Sequence, residues 1–83
     1  MKVLKKLKEI PDLFVVKVQQ VAMRGIPDLL ICHRGRFIAW ELKTDEGHPT
    51  ELQKLVLSNI TKAGGVALVV SPSTLDEALR RFE

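Results

Sequence analysis

The chain predicts a small α/β domain in which a mixed, central four-stranded sheet is flanked by helices, with elements in the order α, β, β, β, α, β, α. Two apolar runs, Leu29 to Cys32 and Phe37 to Lys43, are joined by the turn His33-Arg34-Gly35-Arg36, so they read as an antiparallel hairpin of two central strands. A strand, helix, strand unit follows near the end, and such units cross over between parallel strands. The length of 83 residues, with 46% apolar and 28% charged, suits one globular domain. Its core must be thin, because a chain this short buries only roughly 60% of the surface its unfolded form exposes.

Each element has its own signal. Val3, Leu4, Leu7 and Ile10 recur at helical spacing, so a first helix starts near the beginning, presents a lysine-rich outer face, and stops at Pro11. Leu13 to Val18 is dense in β-branched and aromatic residues and predicts a strand. A polar stretch through Gln19, Gln20 and Arg24 leads to Gly25, and the hairpin follows. Thr44 to His48 is a polar loop with one glycine. Pro49 or Thr50 then opens a second helix whose buried stripe is expected to be Leu52, Leu55, Val56, Ile60 and Ala63. Gly64-Gly65 ends it, as glycine commonly does at a helix C-terminus. Val66 to Val70 is a further apolar strand, and Ser71 to Thr74 introduces a last helix carrying Leu75, Ala78, Leu79 and Phe82. No repeat, low-complexity tract or linker divides residues 1–83, which are read as a single domain.

Composition excludes several classes of function. No apolar run approaches the roughly 20 residues that cross a bilayer. The start, Met1-Lys2-Val3-Leu4-Lys5-Lys6-Leu7-Lys8, alternates charge with leucine instead of building a signal-peptide segment. An intracellular protein with no membrane partner is expected. The single cysteine, Cys32, rules out an internal disulfide and cannot form a zinc site with two scattered histidines. Cys32 is expected to be a buried thiol, His33 and His48 ordinary surface histidines, and Trp40 a core residue. A net charge of +3 and a pI near 9.3 permit an anionic partner without demanding one. Arg24, His33, Arg34 and Arg36 fall in loops around the acidic residues considered next, with Lys54 and Lys62 on the following helix. A site that draws a polyanion past its own carboxylates needs such a surround.

Successive side chains on a strand point to opposite faces, so Glu41 and Lys43 lie side by side while Leu42 and Trp40 face the other way. Ile26-Pro27-Asp28 stands at the mouth of the neighbouring strand, its backbone restricted by the proline. If the hairpin aligns Asp28 with Glu41, two carboxylates and one ammonium converge. Mg²⁺ is held by one or two carboxylates and leaves other positions for water and phosphate oxygens, which is the chemistry of a phosphodiester hydrolase.

Pro27-Asp28, Glu41-Leu42-Lys43 and Gln53 on the following helix together resemble the PD-(D/E)xK nuclease motif. More narrowly, Arg24-Gly25-Ile26-Pro27-Asp28-Leu29-Leu30, the Gln53 helix and its closing Gly64-Gly65 resemble the virus-type replication-repair nuclease (VRR-NUC) domain over roughly residues 9 to 70. The resemblance implies a restriction-endonuclease-like core in a small stand-alone member, encoded by a bacterium or a phage. It also implies a Mg²⁺- or Mn²⁺-dependent endonuclease. Asp28, Glu41 and the backbone carbonyl of Leu42 would bind the metal, and Lys43 would hold the attacking water or the transition-state charge. One ion and two ions both remain open. Gln53 would orient water or a phosphate beside the metal, although Thr50-Glu51-Leu52-Gln53 equally fits a capping box. Glu9, an acidic residue from the first helix, would stand near the ion or else be a solvent-facing charge. Arg24, Arg34, Arg36 and Lys54 would contact DNA.

Read as a stand-alone domain without the appended DNA-binding or helical parts of larger relatives, the chain is expected to have little surface with which to choose a substrate. A homodimer would match the two-fold axis of a four-way DNA junction, so the expectation is a Holliday-junction resolvase-like, structure-selective endodeoxyribonuclease. The alternatives are a nicking or flap nuclease, acting as a monomer or with a partner protein, and a nuclease-fold module that grips DNA without cutting it. No helix carries the Arg, Asn and Gln pattern that reads bases in a major groove, so contacts should fall on the backbone.

Overall fold

A computed structural model describes residues 2–19 and 23–83. The elements run α1 (Val3–Lys8), β1 (Leu13–Lys17), β2 (Leu29–His33), β3 (Arg36–Leu42), α2 (Glu51–Lys62), β4 (Val66–Val70) and α3 (Leu75–Arg80). Of the polar stretch expected after the first strand, Gln20 lies outside the described residues.

The hairpin sets the sheet. Leu29 pairs with Trp40, Ile31 with Ile38 and His33 with Arg36, which leaves Arg34 and Gly35 as a two-residue turn. Both have positive φ, 50° and 83°, the requirement of a type I′ turn that matches the twist of the flanking strands. The turn is thus two residues tighter than the one expected from sequence, because His33 and Arg36 belong to the strands. β1 adds antiparallel to β2 and β4 adds parallel to β3, giving the order β1-β2-β3-β4 and the mixed sheet.

One face carries the core. Leu29, Ile31, Ile38, Trp40 and Val70 pack there against Val3 and Leu7 of α1 and against Leu75, Ala78 and Phe82 beside α3. The last helix thus buries the side its periodicity predicts. The other face is covered only in part. Val56 of α2 is buried yet stands outside that cluster, and Ile60 closes over Gly65 next to Phe37. Leu52, Leu55 and Ala63 are exposed, contrary to the expected buried stripe. Helical periodicity identifies an apolar side but not how much sheet lies beneath it, and α2 packs chiefly on β4.

Three further expectations are corrected. Cys32 is exposed, because it shares the open face with Phe14 and Phe37, its partners in register. His33 is buried, because its position in the alternation turns it toward Phe82. β1 and β3 end one residue earlier than predicted, at Lys17 and Leu42. No helix of the described residues is long and apolar enough to cross a membrane.

Candidate active site

Asp28 stands immediately before β2, where its carbonyl still accepts the Val18 N–H at 2.9 Å and so prolongs the β1–β2 ladder. Because Leu29 faces Trp40, the next step of the register sets Asp28 opposite Glu41. The approach to Asp28 is held from both sides. Pro27 is fully buried. Gly25, at φ +80°, lies so close to α2 that a Cβ there would stand 2.9 Å from the Leu52 side chain and 3.1 Å from its carbonyl oxygen. The segment 24–27 therefore presses against the first turn of α2, which locks the start of β2.

Like charges opposite one another on a sheet repel, so this pair needs compensation. The Asp28 carboxylate takes the Leu42 N–H at 2.8 Å. Lys43 Nζ lies 3.4 Å from Glu41 Oε2. The Glu41 residue is only 3% exposed. Burial first, and then the charge of Asp28, pushes the Glu41 carboxyl above its usual range, while Lys43 opposes the shift. One ammonium balances one of two carboxylates, so a negative charge is left over at a place poor in water. A hard divalent cation answers that deficit, and the donor set is of the right kind: two carboxylates with a backbone carbonyl such as that of Leu42. Among the described residues no group of three or more His, Cys, Asp or Glu side chains is placed to hold a metal ion, so an ion here would rest on two carboxylates and backbone alone.

The parallel pair β3–β4 steadies the site. Lys43 donates its backbone N–H to the Val70 carbonyl at 2.9 Å, which carries the ladder one residue past β3. In the loops beyond, Asp45 accepts the Ser73 N–H at 3.0 Å and so ties the segment after β3 to the segment after β4. Hydrogen bonding from Ser73 and Ser71 holds the Asp45 carboxyl below its usual range. Sequence reasoning missed this clasp, which joins residues 28 positions apart. The Gly25–Leu52 contact was missed for the same reason, although a glycine just ahead of Pro27 is a visible sign of tight backbone geometry.

Asp28, Glu41, Lys43 and the Leu42 backbone thus come together, and other predicted site residues do not. Gln53 completes the capping box: its Oε1 accepts the Thr50 N–H at 2.9 Å while its own N–H donates to Thr50 Oγ1 at 3.1 Å. Its carbonyl oxygen is therefore committed to the helix end. Glu9 is exposed where α1 ends, beside Asp76 and Arg80 of α3, on the opposite side of the sheet from Glu41. It has no part in the carboxylate pair. Arg34 occupies the hairpin turn and Arg36 opens β3, five residue steps or roughly 17 Å along the strand from Glu41. They do not surround the acidic pair as the sequence suggested. Arg34 instead pairs with Asp12 at 3.6 Å, both well exposed. Arg24 and Lys54 are exposed at the correct end of the sheet, on the loop before Asp28 and in the first turns of α2, where Lys54 lies 3.3 Å from Glu51. His48 is exposed as expected.

Comparison of the chain with models of protein families, with curated proteins and with solved structures finds no match.

Proposed function

We propose that this protein is a metal-dependent endodeoxyribonuclease of the PD-(D/E)xK kind, a stand-alone VRR-NUC-like domain with a restriction-endonuclease-like core. The observation that carries the proposal is the buried Glu41 carboxylate, set opposite Asp28 and paired with Lys43 at 3.4 Å. A structural ion pair needs one carboxylate per ammonium, and a second carboxylate turned toward the first is costly unless a cation shares them.

Asp28, Glu41 and the Leu42 carbonyl would hold Mg²⁺ or Mn²⁺. When bound, such an ion offsets charge on phosphate oxygens and makes a nearby water more acidic. Lys43, whose Nζ lies 3.4 Å from Glu41 Oε2, would place a donor on the developing charge or on the water. Arg24, exposed on the loop before Asp28, and Lys54, exposed in the first turns of α2, would draw the DNA backbone toward the carboxylate pair. The exposed Lys54–Glu51 pair is worth so little that Lys54 stays available to phosphate. The substrate is branched DNA, engaged by a homodimer whose two-fold axis matches that of a four-way junction.

Labelled four-way junction, flap, nicked and duplex DNA incubated with protein in Mg²⁺ or Mn²⁺ tests this. Wild type is expected to cleave the junction, and Lys43→Ala and Asp28→Asn are expected to lose cleavage while still binding DNA. Preference for flap or nicked DNA would reassign the substrate. Binding without cleavage of any form would leave a DNA-gripping module instead of an enzyme.

A further inference from the structure

A cleft of about 300 Å³ opens between the β2–β3 turn and the end of α3, on the opposite face of the sheet from Glu41. Arg34, Arg36 and Arg81 border it, with Glu83 as one opposing charge, and Ile38, Leu68 and Phe82 supply apolar walls. Two of its lining residues, His33 and Trp40, are only 9% and 1% exposed. Among the described residues, His33 Nε2 and Trp40 Nε1 are the buried side-chain nitrogens without a hydrogen-bond partner. Phe82 covers both, its ring centre 5.0 Å from that of His33 and 5.8 Å from that of Trp40.

Native proteins satisfy nearly all of their buried polar groups, so two orphans under one side chain, beside an arginine-bordered cleft, mark a place where acceptors are wanted. The indole N–H can only donate, and imidazole can donate through Nε2. A heteroaromatic ring brings in-plane acceptors to such donors and an apolar face to Phe82. Guanidinium groups take phosphate oxygens through paired, charge-assisted bonds. We propose that this cleft binds a nucleotide, its base edge toward His33 and Trp40 and its phosphate among Arg34, Arg36 and Arg81. Both nitrogens are buried, so the base edge would reach them only if Phe82, which lies beyond the last residue of α3, shifts from its place in the core. The cleft admits one nucleotide and is too small for a duplex. The nucleotide can be free or part of a DNA strand. This inference stands apart from the nuclease proposal, because the cleft shares no residue with the carboxylate pair.

Trp40 is the only tryptophan, so its indole N–H gives a single, unambiguous signal in a proton–nitrogen correlation spectrum. Metal-free protein would be titrated with AMP, with inorganic phosphate and with a short single-stranded oligonucleotide. AMP is expected to move the Trp40 indole signal, and phosphate alone is not. Arg36→Gln and Arg81→Gln, both at exposed positions, are each expected to weaken AMP binding about tenfold, while Asp28→Asn leaves it unchanged. A Trp40 shift with the oligonucleotide but not AMP would still support the cleft and assign the nucleotide to a strand. The proposal is overturned if neither moves the signal, or if protein carrying both Arg36→Gln and Arg81→Gln binds AMP as wild type does. The same spectra show whether each variant is folded. A protein that binds AMP but cuts no DNA would sink the nuclease proposal alone.

Discussion

Glu41 holds a carboxylate where the sheet admits almost no water, and its pH behaviour follows from that. A carboxyl whose folded pKa is raised adds stability that is complete below the unfolded value and is lost as pH rises through the folded value. Metal-free protein is therefore expected to lose thermal stability through this group on going from about pH 4 toward neutrality, and Glu41→Gln to flatten that decline. Asp45, with its carboxyl held low, acts in the opposite sense: its contribution is present above the unfolded value and is lost as pH falls through the folded one. Thermal unfolding in chelator across this range, for wild type, Glu41→Gln and Asp45→Asn, separates the two. Added Mn²⁺ should then raise the wild-type Tm at neutral pH, by an amount equivalent to about 2.7 kcal/mol at a hundredfold excess over Kd. Glu41→Gln should lose that gain, and a wild-type Tm indifferent to Mn²⁺ would contradict the proposed metal site. At this scale Asp28, Glu41 and Lys43 were legible because strand alternation and one buried proline fix where they lie. The burial of His33 was not, since it depends on Phe82 arriving from 49 positions away to meet it.

Elements place these residues, and α2 shows how local and tertiary signals divide. Its start was readable residue by residue, because a capping box is a contact within four residues. Thr50→Ala should cost about 1 kcal/mol in denaturant unfolding. Gln53 can be tested against its two roles, because glutamate serves equally well at the third position of a capping box. Gln53→Glu should keep both stability and cleavage if the residue only caps. Loss of cleavage with stability intact would return Gln53 to the proposed metal site. The buried side of α2 was misread for a reason local sequence cannot supply: Leu52 and Leu55 follow the apolar period, yet β1 and β2 do not lie beneath them. Leu52 nonetheless has a task, since it closes on the Gly25 backbone. Gly25→Ala forces a Cβ into Leu52 at a φ that L-residues avoid. The expected result is a loss of more than about 1 kcal/mol, together with weaker Mn²⁺ binding as Asp28 is displaced. Unchanged stability would show that the loop yields more easily than this packing implies.

For the molecule as a whole, the unequal dressing of the sheet matters most. α1 and α3 close one face, while the other leaves the row Phe14, Cys32, Phe37 open, with Phe14 68% and Phe37 47% exposed, and Val16 alongside. Leu55 of α2 is also exposed, and a row of exposed apolar side chains on one sheet face is uncommon on a chain that stays single. The proposed homodimer has its natural interface here. A stable pair buries about 800 Å² per partner, and a two-fold contact lets one apolar patch meet its own copy, so no second complementary surface is needed on a chain with only 5690 Å² in all. The hairpin and the mixed sheet behind this open face were legible in the sequence, but its exposure was not, because an alternating strand reads the same whether its second face meets a helix, a second copy or water. Phe14→Lys combined with Phe37→Lys should convert a dimer to a monomer in sedimentation measurements without unfolding it, since neither side chain belongs to the core. Junction cleavage should fall with dimerisation while cutting of single nicks or flaps, if present, survives. A wild type that sediments as a monomer at high concentration would remove both the dimer and the symmetry argument for a four-way junction, and would confine the proposed metal-dependent cleavage to simpler branched DNA.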